Sequence, residues 1–338
     1  MNKIISIISL IGTVIGCFYV SENVFASDNK ADFTVNAEQS TYQVNKQKTY
    51  FDLSLPTNKS VPLTIHVTNN SNESLDIEGE ISAATTNLNG VVEYSQTDNQ
   101  LTGKQPFDIT EVATLETKTQ TIAPQQTVDF VVNVNVPTDN YAGVVAGGIT
   151  LRDVTEKKED DKSNEMFQNK FAYSIALILH GKKAGEKTEL SLNNVSPNQV
   201  NSRNVLSAAI YNDSANYVNK VSIDAKVIDS EKKEVLSETK ENMQIAPNSI
   251  FQFPLYYEKE KVEAGTYTLE MVVRSNDSEW NLSKEFTIHK EKATELNKTD
   301  VNQIANEESN SITYLLIGMM CLIVGLIILV VILWKKRK

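Results

Sequence analysis

The sequence predicts an all-β ectodomain of two tandem immunoglobulin-like β-sandwiches, followed by one C-terminal transmembrane helix. Three observations lead to this fold class. Apolar and polar residues alternate with a period of two along many short segments, turn-forming clusters separate these segments, and an uncharged apolar segment covers residues 312–334. Period-two alternation is typical of strands with one buried face, and short strands separated by turns are typical of sandwiches.

The alternation is clearest in the N-terminal half of the chain. Leu63, Ile65 and Val67 alternate with polar residues, and residues 128–136 repeat the pattern. Similar segments lie further along, and clusters rich in Asn, Pro, Asp and Ser interrupt them at residues 69–72, 137–140 and 212–214. No long segment with a helical period of 3.6 precedes residue 290, so the folded part is predicted to be almost entirely strands.

A weak internal repeat favours two domains of the same type. The sequence TIAP at 121–124, with Phe130 six residues after its proline, matches QIAP at 244–247, with Phe253 at the same spacing. Upstream landmarks place an insertion in the first unit, within residues 85–118. Chance similarity between two strand–turn patterns is the alternative explanation.

The predicted domain boundaries follow the distribution of charge. Residues 156–165 contain no apolar residue, so they have nothing to bury and are predicted to belong to a linker or a solvated loop. We place sandwiches at 33–153 and 166–290, on either side of a linker at 154–165, with a new strand beginning at Phe171. The polar residues 291–311 are predicted to form a stalk.

The N-terminus has the pattern of a secretory signal peptide over residues 1–26. Lys3 precedes a nearly uninterrupted apolar run, and the residues before Ser27 fit a cleavage site between Ala26 and Ser27. A second interpretation is a lipoprotein signal in which Cys17 is acylated. Both interpretations stay open at this point.

The C-terminus predicts a membrane anchor. The segment bounded by Ile312 and Trp334 carries no charge and is long enough for a bilayer core of about 30 Å. Lys335 begins a basic tail that ends at residue 338, and cations beside a span remain on the cytoplasmic side. These features predict a single-pass cell-membrane protein with its ectodomain outside and its tail in the cytoplasm.

Composition argues against several functions. The net charge is −11, and the predicted basic tail makes the rest of the chain more acidic still, which is unsuited to nucleic acid. The two cysteines, Cys17 and Cys321, lie in the predicted signal and the predicted span, so the ectodomain offers no disulfide and no thiolate ligands. The three histidines are scattered, and no catalytic motif is present. We therefore predict no metal, no cofactor and no enzymatic activity.

Two groups of residues are candidates for ligand or partner binding. Asparagine amides can recognise sugar hydroxyls and peptide groups, and glycines permit close approach of a ligand or partner strand. The alternatives are an ordinary hairpin turn for the first group and a bulge or tight corner for the second. The first group is Asn87, Asn89, Gly90 and Tyr94, and the second is Tyr141, Gly143, Gly147 and Gly148.

Two aromatic residues of the second predicted domain, Tyr256 and Trp280, are candidates for a protein interface. Aromatic side chains are enriched where proteins meet because they bury a large area at low entropic cost. The first predicted domain contains no tryptophan on which a sugar ring could stack, which weakens a purely lectin-like interpretation.

Several short segments along nearly the whole chain carry a family resemblance. They are FTV at 33–35, TYFDL at 49–53, ATTNLNG at 84–90 followed by Tyr94, AG at 142–143 with GGI at 147–149, and FAY at 171–173. In this combination the chain resembles the WxL-interacting proteins of Gram-positive bacteria.

The resemblance implies a peptidoglycan-binding domain followed by a host-binding domain. It further implies that the partners are peptidoglycan, secreted WxL-domain surface proteins and host extracellular proteins, and that the ectodomain faces the cell wall. The function expected on this basis is that of a surface scaffold. The alternative is a structural or chaperone-like ectodomain that binds protein partners by β-strand edge pairing and does not bind the wall.

Overall fold

The computed structural model describes residues 31–156, 171–183, 187–257, 261–276 and 278–302, together with the isolated positions 319, 320 and 325. The described residues from Phe33 onward belong to one unit. Across the described residues the chain consists of eighteen strands and two short helices.

The first sandwich is built from two mainly antiparallel sheets. One has the strand order β1-β3-β9-β7 and the other has the order β2-β11-β10-β4-β8, with β2 and β11 parallel. A two-stranded hairpin, β5-β6, and one short helix, α1, accompany them. The elements in chain order are β1 (Phe33–Ala37), β2 (Phe51–Leu53), β3 (Ser60–Asn69), β4 (Leu75–Ala83), β5 (Thr85–Thr86), β6 (Val92–Glu93), α1 (Ile109–Val112), β7 (Ala113–Leu115), β8 (Thr119–Ile122), β9 (Thr127–Asn135), β10 (Val144–Asp153) and β11 (Ala172–His180).

The alternating residues face the core as the sequence predicts. Leu63, Ile65 and Val67 on β3 are buried, and they belong to one core cluster with Phe130 on β9. Burying four such side chains removes several hundred square ångströms of apolar surface from water, which is the main favourable contribution to folding.

Strand β11 begins near the predicted position but belongs to the first sandwich. It pairs with β10 along its whole length and with β2 in parallel, and its side chains Ile175, Leu177 and Leu179 lie in the first core. The residues from Ile175 to Leu179 are continuously buried, which is typical of a central strand covered on both faces. The first sandwich is therefore completed by a strand that lies beyond the predicted linker at 154–165.

The second sandwich has sheets of order β12-β13-β16 and β15-β14-β17-β18. Its core contains Phe251 and Phe253, whose rings meet edge to face at 5.9 Å. The strands are β12 (Leu190–Val200), β13 (Arg203–Asn212), β14 (Val218–Asp229), β15 (Glu234–Ile245), β16 (Ser249–Tyr256), β17 (Gly265–Ser275) and β18 (Ser278–Ile288).

The predicted stalk begins as a helix that packs on the second sandwich. Helix α2 (Lys290–Thr299) buries Ala293 and Leu296, and the Asn204 N–H donates a hydrogen bond to Asp300 Oδ2 at 2.6 Å. This part of the segment is therefore a docked element of the fold, and residues 303–311 lie outside the described residues.

The predicted transmembrane helix and the single-pass membrane localisation are wrong by this structure. Within the part of the chain that is described, no helix has the length and apolar character needed to cross a bilayer. The longer helix, α2, has 10 residues and extends about 15 Å, half of a bilayer core of about 30 Å. The predicted span ends, Ile312 and Trp334, the tail from Lys335, and the predicted signal with Cys17, Ala26 and Ser27 all lie outside the described residues.

Candidate functional site

Residues 84–105, here named the junction arm, extend from the first sandwich and contact the second. This segment contains the β5-β6 hairpin, and all but its first residue fall within the predicted insertion at 85–118. Four backbone N–H groups donate between the arm and the second sandwich: Ala246 to Thr86 Oγ1 at 2.9 Å, Gln244 to the Gly90 carbonyl at 2.8 Å, Ile250 to the Gln100 carbonyl at 3.0 Å, and Thr102 to the Asn248 carbonyl at 2.9 Å.

The predicted residues Asn87, Asn89 and Gly90 form the turn of the β5-β6 hairpin. The Asn87 Oδ1 accepts from the backbone N–H groups of Asn89 and Val91, and its Nδ2 donates to Glu93 Oε1 at 2.7 Å. Gly90 has a φ of +73°, and a Cβ there would lie 2.3 Å from the Met243 side chain. The turn is thus built to pack against the second sandwich, and the Asn87 amide is engaged within its own hairpin.

The predicted close approaches at glycine are made by the chain itself. A Cβ at Gly148 would lie 2.0 Å from the Tyr94 carbonyl oxygen of the junction arm, and one at Gly147 would lie 2.5 Å from the Ser82 carbonyl oxygen. Gly143, with a φ of +74°, approaches the Ala215 carbonyl of the second sandwich, to which the neighbouring Val144 N–H donates at 2.7 Å.

The tyrosines of the predicted site are packed at the same junction. The Tyr94 hydroxyl lies 3.2 Å from that of Tyr217 in the second sandwich, and burial raises the pKa of both phenols. The Tyr141 hydroxyl donates to the Leu179 carbonyl at 3.0 Å, and its ring meets Phe107 edge to face. Burial likewise raises the pKa of Tyr141, so these side chains are neutral hydrogen-bonding groups at neutral pH.

The two aromatic residues predicted at a protein interface lie in different sheets. Trp280 on β18 is only 8% exposed and donates from Nε1 to the Thr188 carbonyl at 3.3 Å. Tyr256 on β16 is partly exposed, and the Lys240 ammonium lies 5.3 Å from its ring centre. Of the two, Tyr256 is the one with surface available to a partner.

Two histidines and two glutamates of the first sandwich are already paired within the chain. His66 and His180 contact Asp129 and Asp52 at 2.7 and 2.5 Å, while Glu78 pairs with Lys118 and Glu80 with Arg152. Across the described segments, no cluster of three or more His, Cys, Asp or Glu residues is arranged to hold a metal ion.

Two clefts adjoin the junction arm. One, of about 180 Å³, lies between the sandwiches near Lys104, Tyr141 and Asp213. The other, of about 250 Å³, lies between β4 and the arm and is here named the β4 cleft. Its lining residues include Glu80, Ser82, Thr85, Gln96, Thr97 and Asn99. None of them was among the predicted binding residues, although the polar run at 95–100 within the predicted insertion was a signal for an exposed, hydrogen-bonding loop.

Comparison with family models identifies the family to which this two-sandwich chain belongs. Residues 33–153 match the model described as WxL Interacting Protein, peptidoglycan binding domain, and residues 162–298 match WxL Interacting Protein, host binding domain. The chain belongs to the WxL-interacting protein family. The predicted family and the order of its two domains are confirmed.

No curated protein matches the chain. Similar solved structures include the YadV chaperone (12% identity, 76% of this chain and 100% of that chain, TM-score 0.30). The E. coli chaperone DraB is a further example, with 13% identity, coverage of 76% of this chain and 96% of that chain, and a TM-score of 0.29. A complex of Salmonella enterica SafA pilin with the SafB chaperone has 10% identity, coverage of 78% of this chain and 99% of that chain, and a TM-score of 0.31. At these TM-scores nothing further follows from the likeness.

Proposed function

We propose that this WxL-interacting protein is a binding scaffold without catalytic activity. In this proposal the first sandwich binds peptidoglycan, and the second binds proteins, namely WxL-domain surface proteins and host extracellular proteins. The family's peptidoglycan-binding and host-binding domains, both present in the chain, support the two ligand classes. The observation that carries the scaffold role is the junction arm, whose hydrogen bonds join the first sandwich directly to the second.

Peptidoglycan binding by this chain would rest on uncharged contacts. The chain is acidic overall, and the carboxylates Glu78 and Glu80 on the outer face of β4 are already paired with Lys118 and Arg152. Anionic wall polymers would therefore gain little from long-range attraction. Hydroxyl and amide side chains remain as the groups that can recognise the wall, so binding should depend only weakly on salt.

Protein binding by the second sandwich would use its partly exposed aromatic surface. Tyr256 and the Lys240 ammonium above it present an apolar ring with a cation beside it, a combination that suits a protein partner. WxL-domain partners are proposed because the family is named for that interaction, and they are assigned to this sandwich because it presents the partly exposed Tyr256.

Edge pairing without wall binding is the alternative function, and one observation disfavours it. Strand β15, an edge strand of 12 residues, carries Glu234, Glu238, Lys240 and Glu241. Charged side chains on an edge strand oppose the addition of a further strand.

Co-sedimentation of the full chain with purified peptidoglycan sacculi tests the proposal. The full chain is required because a cut within the predicted linker would remove β11 from the first sandwich. We expect the protein to pellet with sacculi at low and at physiological salt, and to remain in solution with cellulose as the control polymer. Failure to pellet at either salt would overturn the peptidoglycan role.

Binding to a purified WxL-domain protein in the absence of sacculi tests the other half of the proposal. We expect a complex with the full chain that weakens when Tyr256→Ala removes the exposed ring. Tyr211→Ala serves as a control on another strand of the same sheet. No complex, or equal binding by both variants, would contradict the assigned surface.

A further inference from the structure

One edge of β4 is only half paired. The strand pairs with β10 from Ile77 to Ala83, but it pairs with β8 only from Leu75 to Glu78. The Gly79 N–H still donates to the Lys118 carbonyl at 2.8 Å. Beyond that point no strand within the described residues pairs with this edge of β4.

The register shows which backbone groups face the unpaired edge. The Ala84 N–H donates to the Ala146 carbonyl, toward β10, whereas Gly79 donates in the opposite direction. Because the backbone groups of successive residues alternate in direction across an antiparallel ladder, Ile81 and Ala83 direct their N–H and C=O groups toward the unpaired edge.

The β4 cleft lies along this edge. Residues 80–83 of β4 form one wall, and the junction arm and Thr110 of α1 form the other. Thr85, at the start of the β5-β6 hairpin, also lines the cleft. Four strand residues span about 13 Å at roughly 3.3 Å each, which is room for a short extended peptide and too little for a long partner strand.

A buried hydroxyl in this cleft has no partner. Ser82 is 6% exposed, and its Oγ makes no hydrogen bond to any described residue. A buried polar atom is nearly always hydrogen-bonded, because leaving it without a partner is unfavourable. A ligand that enters the cleft and bonds to Ser82 Oγ removes this deficit.

The lining suits a peptide more than a sugar. Gln96 and Asn99 supply amide groups, the hydroxyls of Thr85 and Thr97 are bonded to each other at 3.0 Å, and the Glu80 carboxylate is paired with Arg152. None of the lining residues is aromatic, so a sugar ring has no surface on which to stack. Amide groups of an extended peptide can bond both to these side chains and to the backbone of Ile81 and Ala83.

We propose that the β4 cleft binds the short stem peptide of peptidoglycan, held along the unpaired edge of β4 with a hydrogen bond to Ser82 Oγ. This inference rests on the proposed peptidoglycan binding by the first sandwich, and it assigns the stem peptide, and not the glycan strand, as the part recognised.

Calorimetric titration of the full chain with a synthetic stem peptide tests the inference, beside co-sedimentation with sacculi. The comparison ligands are a soluble oligomer of N-acetylglucosamine and an all-L peptide of matched composition. Ser82→Ala and Gln96→Ala remove groups that line the cleft. Gln100→Ala, on the same arm but with no lining side chain, and Ser283→Ala, on the second sandwich, are the matched controls.

We expect the stem peptide to bind, the sugar oligomer not to bind, and the all-L peptide to bind more weakly. Ser82→Ala and Gln96→Ala should each weaken stem-peptide binding about fivefold, the effect of one neutral hydrogen bond, and both controls should match the wild type.

The remaining outcomes overturn the inference in distinguishable ways. Pelleting with sacculi that neither cleft variant changes would reject the β4 cleft and leave the proposed function standing. Binding of the sugar oligomer in place of the stem peptide would assign the cleft to glycan, and equal binding of the all-L peptide would assign it to protein strands. A wild-type chain that does not pellet would reject the proposed function together with the inference.

Discussion

The junction and the β4 cleft lie on either side of the same arm, and one side chain of each, Thr86 and Ser82, is in the opposite hydrogen-bonding state. At the junction, Thr86 Oγ1 accepts from the Ala246 N–H, and the Asn87 amide is bonded within its hairpin. In the cleft, Ser82 Oγ is buried and has no partner among the described residues. The Thr86 hydroxyl, whose bond is completed within the chain, stabilises the fold, whereas the Ser82 hydroxyl is the group that we propose a ligand bonds.

The largest expected effect on stability is at Gly143, which lies at the junction. Alanine there would place its Cβ 2.0 Å from the Ala215 carbonyl oxygen at a φ of +74°. We expect Gly143→Ala to lower the free energy of unfolding by about 3 kcal/mol or more, measured by urea denaturation. Gly103→Ala is the matched control, because Gly103 has a φ of +76° and no atom within 4 Å of the added Cβ. It should lose only about 1 to 2 kcal/mol, and equal losses would show that the contact across the junction adds nothing.

The hydrogen bond across the junction at Thr86 should have the next largest effect. Thr86→Val preserves the shape of the side chain but leaves the buried Ala246 N–H without an acceptor. We expect a loss of about 1–3 kcal/mol in chemical denaturation, and Thr86→Ser, which keeps the hydroxyl, should recover most of it. A Thr86→Val protein as stable as the wild type would contradict a structural role for this bond.

Alkaline pH should destabilise the junction. Burial raises the pKa of Tyr94 and Tyr217, so the folded state retains their protons at pH values where the unfolded chain, with tyrosine pKa values of about 10, releases them. Their contribution to stability is therefore complete below pH ~10 and decreases as the pH rises above it. We expect the urea midpoint to fall between pH 8 and pH 11, and to fall less in Tyr217→Phe. An identical fall in both proteins would exclude this pair as the cause.

The smallest expected effect is the difference in stability between alanine variants of two buried serines. Ser249 Oγ donates to the Ala246 carbonyl at 2.9 Å, whereas Ser82 Oγ has no partner in the described chain. Ser249→Ala should lose about 1 kcal/mol of stability, and Ser82→Ala should lose nothing or gain a few tenths. Thermal unfolding of both variants measures the difference, and a clear loss in Ser82→Ala would mean that its hydroxyl serves the fold.

Local pattern was sufficient to predict the strands and the core, because alternation directly encodes which face is buried. Leu63, Ile65 and Val67 on β3 are the clearest example. The assignment of β11 to the first sandwich was not predictable in this way, since a strand's own residues do not specify which sandwich supplies its neighbours. The prediction of a membrane helix was wrong, because no helix among the described residues is long and apolar enough to span a bilayer.

The site was predicted in part. The residues chosen for their turn and close-approach chemistry do form a turn at Asn87 and Gly90 and make close approaches at Gly90 and Gly143, but the surfaces that they approach belong to the same chain. The β4 cleft escaped sequence inspection because Ser82 becomes unusual only when its burial and its missing partner are known. Trp280 was also misjudged from the sequence: its aromatic side chain suggested an interface, but it packs in the core of the second sandwich.

Sacculus-binding isotherms for Ser82→Ala and Thr86→Val, measured beside their unfolding curves, test the central claim most directly. The account predicts that Ser82→Ala binds sacculi about fivefold more weakly while keeping full stability, and that Thr86→Val loses stability but binds normally while folded. The reverse pattern, with binding lost at Thr86 and stability lost at Ser82, would contradict the division between a structural junction and a ligand-binding cleft.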